Sequence, residues 1–437
     1  MSARNRELMA LIPASLLLTA GFAALFIQRS DILSNVSLTY GAIFLGLCFA
    51  GHLVIRFTLP HADPYLFPLV AILACFGLVV VYRIDENLAR DQAQWFVIGL
   101  ILFVVTILAL RDFRVLERYR YTIALAGLAL LLLPRVPGIG QQVNGAYLGV
   151  KVGPIAFQPS EFGKIAIVIF LAAYLRDTRQ VLVQSSRRVL GVTIPPLKHF
   201  GPLLVVWGAA MLMLVFIRDL GSSLMYFGAF LALVYVATNR FSFVLVGLVL
   251  FGLGAWFLAS HVPHIEDRVD IWLDPFKDYS SSGYQIANGM FAQADGGLFG
   301  TGLGASVLEL PGGAPLIPAP QTDMIYAVVV NELGLVGGVG LLATYLLIVE
   351  RGFKTATLAA DSFSKLLATG LTAVLALQVF VIVGGVTRVI PLTGVTLPFV
   401  SYGGSSIVAN FVLLALLLLI SDRARRPARA TAVRGLR

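Results

Sequence analysis

The chain has 437 residues, of which 58% are hydrophobic and only 13% charged, and its mean hydropathy is +0.88. A soluble domain carries about 25% charged residues and about 45–50% apolar ones. Because so few charges could not cover a soluble particle of this size, we exclude an ordinary cytosolic enzyme, a disordered chain and a fibrous repeat. The composition indicates an integral membrane protein with many spans.

Twelve apolar runs are long enough, or nearly so, to cross a hydrocarbon core of about 30 Å. Each is predicted to be a helix, because lipid offers no hydrogen-bonding partners to backbone groups. The predicted fold is therefore an all-α polytopic membrane protein with about 12 transmembrane helices. In chain order the runs are 8–27, 37–57, 64–82, 93–110, 120–134, 161–175, 199–217, 220–238, 241–260, 323–349, 366–388 and 405–421.

Lysine and arginine are distributed unevenly between the loops, and the net charge is +9. If the N-terminus is cytoplasmic, 22 of the 32 basic residues lie in cytoplasmic segments and nine in outer ones, with Lys164 inside a span. Cytoplasmic loops of membrane proteins carry such an excess. This bias predicts that both termini are cytoplasmic, and it explains the basic balance without nucleic acid as a partner.

Three segments on the predicted outer side are unusual. The stretch 262–322 is the one long loop, with seven acidic residues against two basic ones and many glycines and aromatic residues. The stretches 135–160 and 388–406 mix apolar residues with glycine and proline. Irregular backbone at membrane depth is tolerated only against protein or a water-filled cavity. We therefore expect a structured outer loop and three irregular segments that meet around one cavity open to the outside.

Charged residues at the edges of spans are expensive, so each requires a reason. Glu161 and Lys164 lie three positions apart on one predicted helix and can pair. Either Lys164 lines the outer cavity and faces an anionic group, or the two form an internal ion pair that holds the bundle together. Asp219 follows Arg218 at a turn between two spans, where it caps the next helix or pairs with Lys164 or Arg218.

Asp323 opens the tenth apolar run and has Gln321 and Thr322 as polar neighbours. A carboxylate at an apolar interface has a raised pKa, which suits a general base near neutral pH. A position at the start of a helix lowers the pKa instead, and a simple helix cap is the alternative interpretation. The sequence has no metal-ligand spacing, no phosphate-binding P-loop and no dinucleotide fingerprint. An enzyme with this sequence would need a substrate that arrives activated.

These motifs, taken together and in order, resemble the SEDS family (shape, elongation, division and sporulation proteins), and within it the elongation branch, RodA, more than the division branch, FtsW. The resemblance covers about residues 64–421. The matching segments are 145–146, 157–161 with Lys164, 219–221, Arg268, Pro275, 283–285, 296–302, 322–323, 331–334 and 397–406.

The resemblance implies a ten-helix core at 61–425 with the outer loop 262–322, a two-helix N-terminal extension at 1–60 and a basic cytoplasmic tail at 426–437. The sequence differs from the usual family pattern before Asp323, where Pro-Ala-Pro-Gln-Thr replaces Pro-Glu-x-His-Thr. Arg218 likewise stands where the family usually has proline.

The resemblance also implies peptidoglycan glycosyltransferase activity on lipid II in the bacterial plasma membrane, for cell-wall elongation. Asp323 would be the general base on the acceptor 4-hydroxyl, and undecaprenyl diphosphate would leave. No cofactor is required by the motifs; if a divalent cation (Mg²⁺ or Mn²⁺) takes part, Asp323 is its expected ligand. The candidate residues for binding substrate and diphosphate are Glu161, Lys164, Arg218, Asp219, Arg268, Lys277, Gln321, Thr322, Ser401 and Tyr402.

The expected partners are lipid II, membrane lipid and a class B penicillin-binding protein that supplies the transpeptidase. Three alternatives stay open: a lipid II flippase or transporter, a related lipid-linked glycan ligase, and an inactive scaffold for cell-wall enzymes. A flippase needs access from both membrane faces, whereas the irregular polar segments of this sequence cluster on the predicted outer side.

Overall fold

The structure is a computed structural model, and its secondary structure is helical for the most part. The residues that it describes are 2–29, 35–143, 146–153, 155–184, 187–189, 192–194, 208, 219–261, 263–308 and 315–426.

The helices of the first part of the chain are α1 (Ala3–Ala10), α2 (Ile12–Arg29), α3 (Asn35–Thr58), α4 (Leu66–Ile84), α5 (Glu86–Ala109), α6 (Val115–Arg118), α7 (Arg120–Leu132) and α8 (Ser160–Gln184). The later helices are α9 (Leu220–Thr238), α10 (Phe241–His261), α11 (Pro263–Leu273), α12 (Tyr284–Gly296), α13 (Ile325–Leu358), α14 (Ser362–Val386) and α15 (Gly404–Ala424).

Aspartates cap several of these helices, which fixes where the spans begin. Asp85 accepts hydrogen bonds from Asn87 N at 2.7 Å and Leu88 N at 3.3 Å at the start of α5. At the start of α14, Asp361 accepts from Ser364 N at 2.9 Å. Such caps satisfy backbone N–H groups that have no partner within the helix.

Among the described residues, eight helical segments are long and apolar enough to cross a membrane, which confirms the predicted polytopic class. Runs 120–134 and 161–175 are also helical, as α7 and α8, and run 241–260 corresponds to α10. The run at 199–217 lies outside the described residues except for residue 208. The number of twelve spans therefore stays a prediction. The eight segments are Ala3–Leu25, Gly41–Thr58, Leu66–Ile84, Glu86–Ala109, Gly221–Thr238, Ile325–Leu358, Ser362–Val386 and Gly404–Ala424.

Two small antiparallel sheets add to the helices and were not predicted. Strands β1 (Gly140–Val143), β2 (Ala146–Val152) and β3 (Ile155–Phe157) form a three-stranded meander, with Val150 opposite Phe157 and a bulge between Gln141 and Gln142. Strands β4 (Arg187–Val189) and β5 (Val192–Ile194) form a hairpin. The expected irregular segment at 135–160 is thus largely a sheet.

The core is one apolar cluster in which α15 packs against α5, α13 against α14, and α8 against α7, α9 and α14. The N-terminal helices join this cluster, because α2 packs on α4 and α3 on α5. A buried polar contact accompanies them, with Glu7 ion-paired to Arg4 and its Oε1 2.8 Å from His52 Nδ1. The predicted domain boundaries remain predictions.

The outer loop is structured, as expected, and contains α11 and α12. Its segment after α12 packs into a kink of α13, where Gly334 has the non-helical angles φ 69° and ψ −172°. Leu335 N donates to Gly297 O at 3.0 Å, and Gly302 N to Glu332 O at 3.0 Å. Gly300 (φ +86°) fits there because a Cβ would overlap the Glu332 carbonyl. The glycines therefore allow two backbones to touch.

Candidate active site

Asp323 lies just before α13, with its side chain partly buried at the foot of the outer loop. Its Oδ1 accepts a hydrogen bond from Thr322 Oγ1 at 3.1 Å and a longer one from Gln285 Nε2 at 3.4 Å. Gln285 also donates to Pro318 O at 3.1 Å, so α12 holds the loop that carries Asp323. Asp323 is not the cap residue of α13, because Met324 occupies that position.

Burial raises the pKa of the Asp323 carboxyl, and this effect outweighs the hydrogen bond from Thr322 and the positive charge of Arg268, which lower the pKa. A carboxylate with a raised pKa is a better proton acceptor than an ordinary aspartate. Of the two opposing effects on this pKa that the sequence allowed, desolvation is thus the one that the structure favours.

Arg268, on α11, carries the positive charge that lowers the pKa of the Asp323 carboxyl. Its Nη1 donates to Leu392 O at 2.7 Å, which joins α11 to the segment 388–403. Burial lowers the pKa of Arg268, whereas the charges of Asp219 and Asp323 raise it. One guanidinium therefore lies within electrostatic reach of two carboxylates that are 104 positions apart in the sequence.

Asp219 is buried and caps α9, which is one of the two roles predicted for it. Its Oδ1 accepts from Ser222 N at 3.0 Å and its Oδ2 from Ser222 Oγ at 2.6 Å. Burial raises the pKa of Asp219, while the Ser222 hydrogen bonds lower it and the charge of Glu161 raises it further. The Asp219 carboxylate thus interacts electrostatically with Glu161 as well as with Arg268. Arg218, its sequence neighbour, lies outside the described residues.

Glu161 and Lys164 form the internal ion pair that was one of the two interpretations of this motif. Lys164 Nζ donates to Glu161 Oε2 at 2.5 Å and to Gln378 Oε1 at 2.7 Å. Both charged side chains are almost fully buried, with 1% of Lys164 and 3% of Glu161 exposed. Gln378 Nε2 donates in turn to Thr396 O at 3.0 Å. The pair therefore ties α8 to α14 and to the segment 388–403.

Ser401 and Tyr402 hold the backbone next to Asp323. Ser401 Oγ donates to Thr322 O at 2.5 Å, and Tyr402 N donates to Gln321 O at 2.8 Å. Gln92 on α5 supports the same segment, donating to Ser401 O at 2.9 Å and accepting from Gly403 N at 3.2 Å. These contacts bring the outer loop and the segment 388–406 together.

The third predicted segment, 135–160, contacts the segment 388–406, since Gln158 N donates to Ser405 Oγ at 2.8 Å. The contacts between the three outer segments are therefore observed, whereas the cavity that they were expected to surround stays a prediction. Lys277 lies on an exposed turn after Pro275, and no described contact brings it to Asp323. Three residues that position the site, Gln92, Gln285 and Gln378, were not among the candidate site residues, although Gln285 lies in the matching segment 283–285. A glutamine inside an apolar helix, as Gln378 is, was the available signal.

The side chains described around Asp323 provide few oxygen ligands for a divalent cation. No group of three or more His, Cys, Asp or Glu side chains that could hold a metal occurs in the part of the chain that the structure describes. Mg²⁺ and Mn²⁺ prefer several oxygen ligands, whereas Asp323 has an amide, a hydroxyl and a guanidinium as neighbours. A divalent cation thus stays a prediction, and no step below depends on it.

Fold and site together define a class: a polytopic membrane protein with a partly buried carboxylate held by a structured loop at one end of the helix bundle. The family model described as cell cycle protein, FtsW/RodA/SpoVE, matches residues 64–426. The chain belongs to this family, as the sequence motifs predicted.

Curated relatives agree with this assignment. The chain is 42% identical over 440 residues to the protein named peptidoglycan glycosyltransferase RodA of Mycobacterium tuberculosis (strain ATCC 25618 / H37Rv), covering 98% of this chain and 92% of the relative. It is 32% identical over 374 residues to stage V sporulation protein E of Bacillus subtilis (strain 168), covering 83% of this chain and 98% of the relative.

Solved structures share the fold. A chain from a structure on coordination of polymerization and crosslinking by a peptidoglycan synthase complex matches with a TM-score of 0.68 at 27% identity, covering 84% of this chain and 99% of that one. The crystal structure of the rod shape determining protein RodA of Thermus thermophilus matches with a TM-score of 0.60 at 27% identity, covering 84% of this chain and 98% of that one.

Proposed function

We propose that this protein is a peptidoglycan glycosyltransferase that polymerises lipid II into glycan strands during cell-wall elongation. The observation that carries the proposal is the partly buried Asp323 carboxylate, which Thr322 and Gln285 hold by hydrogen bonds and which interacts electrostatically with Arg268. The 42% identity to proteins named peptidoglycan glycosyltransferase RodA, over nearly the whole chain, supports the reaction class.

The proposed reaction is a single displacement. The 4-hydroxyl of the acceptor sugar attacks the anomeric carbon at the lipid-linked end of the growing chain, and Asp323 accepts the hydroxyl proton. A new C–O bond forms as the bond to undecaprenyl diphosphate breaks, and the diphosphate leaves with the bonding electrons. One such step inverts the anomeric centre. General-base assistance of this kind contributes about 10²–10⁴-fold to a rate.

The leaving diphosphate requires positive charge at the site. Arg268 is the candidate that the geometry favours, because its charge already interacts with Asp323 and Asp219. Lys277 is exposed on the same loop and could approach a bound substrate from outside. Lys164 is enclosed by Glu161 and Gln378, so its contribution would be to position α8 and α14.

The proposed partners are lipid II and a class B penicillin-binding protein that crosslinks the strands. The similarity to a chain of a peptidoglycan synthase complex supports an assembly of this kind. The outer loop is the proposed docking and catalytic face, with both termini on the cytoplasmic side of the bacterial plasma membrane, as the distribution of lysine and arginine predicts.

The test is polymerisation of purified lipid II by the full-length protein with its penicillin-binding partner, whose transpeptidase serine is disabled. Asp323→Asn keeps an oxygen that accepts from Thr322 and Gln285 but removes the base. We expect a rate loss of about 10²–10⁴-fold. Asp295→Asn is the matched control, because Asp295 is exposed at the end of α12 on the same loop, and this variant should polymerise like the parent.

Equal polymer from Asp323→Asn and the parent would refute the role of Asp323 as the base. If the parent makes no polymer although partner binding is confirmed, the polymerase proposal fails, and the flippase and scaffold alternatives take its place. Translocation of labelled lipid II across vesicles that contain the protein then separates those two.

A further inference from the structure

A cavity of about 680 Å³ lies at the end of the bundle opposite to Asp323, between the ends of three membrane-spanning helices. These helices are α3, which ends at Thr58, α5, which ends at Ala109, and α15, which ends at Ala424. The same end carries the N-terminus, because the charge of Arg4 interacts with Asp422 at the cavity wall. The cavity therefore lies where the spans leave the membrane, at the level of lipid headgroups.

Apolar side chains line part of the cavity wall and part of its border. Leu59, Phe113 and Leu419 are buried in its walls. Phe57 and Leu108 border it and are exposed at 80% and 45%, although each lies at the end of a membrane-spanning helix. Exposed apolar side chains on such helices face hydrocarbon, so acyl chains can reach the border of the cavity at Phe57 and Leu108.

Three arginines form the rim, and their charges are only partly compensated. Arg426 pairs with Asp422 at 2.7 Å, and Arg423 pairs with Asp112 at 3.2 Å. Arg111 is exposed and has no hydrogen-bond or ion-pair partner within the part of the chain that the structure describes. One guanidinium at the rim is thus available to an anion.

We propose that this cavity binds one anionic glycerophospholipid, with the headgroup phosphate at Arg111 and an acyl chain along Phe57 and Leu108. A free phosphate would use the arginine but would leave the apolar walls uncovered. A zwitterionic lipid would cover those walls but would carry no net charge to match the rim. Basic pockets between the ends of membrane helices on the cytoplasmic side attract anionic lipids in this way.

The experiment measures lipid retained on the full-length protein by native mass spectrometry, with phosphatidylglycerol titrated into detergent micelles. Phosphatidylcholine with the same acyl chains and inorganic phosphate are the two comparison ligands. We expect phosphatidylglycerol to bind at least about fivefold more tightly than phosphatidylcholine, which is the effect of one basic residue at a membrane surface. Arg111→Gln should remove this preference, and Arg111→Lys should restore most of it.

Lys354→Gln is the matched control, because Lys354 is an exposed cation near the end of α13 that does not line the cavity. It should leave the affinity for phosphatidylglycerol unchanged. Since Arg111 has no described partner, its replacement should not disturb folding, which gel filtration of the variant verifies. Equal affinity of Arg111→Gln and the parent for phosphatidylglycerol would overturn the proposal. Displacement of phosphatidylglycerol by equimolar inorganic phosphate would also overturn it, by assigning the site to a free anion.

Discussion

Glu332 connects the outer loop to the helix bundle, and the loss of its ion pair with Arg83 gives a quantitative prediction for stability. This buried carboxylate on α13 lies 3.1 Å from Arg83 Nε on α4. It also accepts from Gly304 N at 2.8 Å and from Ser306 Oγ at 2.5 Å. Arg83 Nη2 donates to Ser306 O at 2.6 Å. Two spans and the loop are therefore joined at one point, two residues before the kink at Gly334.

Arg83→Met would leave the Glu332 carboxylate buried at 2% exposure without its positive partner. Removal of one partner from a buried ion pair costs about 3–5 kcal/mol, because the remaining charge is no longer compensated. Arg83→Met/Glu332→Gln removes that charge, and the glutamine oxygen can still accept from Gly304 N while its NH2 group donates to Ser306 Oγ. The double variant should therefore be more stable than Arg83→Met alone, with a coupling energy of about 1.5–3 kcal/mol.

The measurement is reversible unfolding in mixed micelles of dodecyl maltoside and sodium dodecyl sulfate, followed by circular dichroism. Arg90→Met is the matched control, because Arg90 and Glu86 form an ion pair that is 51% and 41% exposed. An exposed pair contributes about 0–1 kcal/mol, so this variant should lose little stability. The reasoning is refuted if Arg83→Met costs no more than Arg90→Met, or if the effects of the two Arg83 and Glu332 changes simply add.

Three further predictions concern the loop, the base and the buried pair. Gly300→Ala forces φ +86° on alanine and overlaps the Glu332 carbonyl, so it should lower the unfolding midpoint, whereas Gly252→Ala, in open space on α10, should not. Since burial raises the pKa of Asp323 and Arg268 lowers it, the rate of polymerisation should fall as the pH drops through this raised pKa. Arg268→Gln should then move that acidic limb to higher pH in a pH–rate profile. Lys164→Met should destabilise the protein by about 3–5 kcal/mol in the same unfolding assay, and Glu161→Gln in addition should recover part of the loss.

The helical part of the fold follows from the sequence because each span carries its own signal. A run of apolar residues is a local property, and lipid permits only one backbone solution for it. Capping residues such as Asp85 and Asp361 add local start signals. The sheet at 140–157 gave no comparable signal, because glycines interrupt the alternation of its short strands.

The residues of the site were predictable one at a time, but their contacts were not. Asp323 stood out because a carboxylate beside an apolar run is rare and costly. Its neighbours Gln285 and Ser401 come from 38 positions before it and 78 positions after it, and no spacing rule links them. The sequence could not choose between the two interpretations of Lys164, since that choice depends on Gln378 from another helix.

The charged residues of the site interact with one another, which explains why each of them, considered alone, had two possible roles. Lys164 compensates Glu161, and Arg268 interacts with both Asp219 and Asp323. The charge of Glu161 also raises the pKa of Asp219. Asp219 and Asp323 thus share one cation, Arg268 on α11, so the protonation of Asp323 depends on how α11 is held. Because Arg268 donates a hydrogen bond to Leu392 O, a substitution that displaces Leu392 should change the pKa of Asp323 although Leu392 has no hydrogen bond to Asp323.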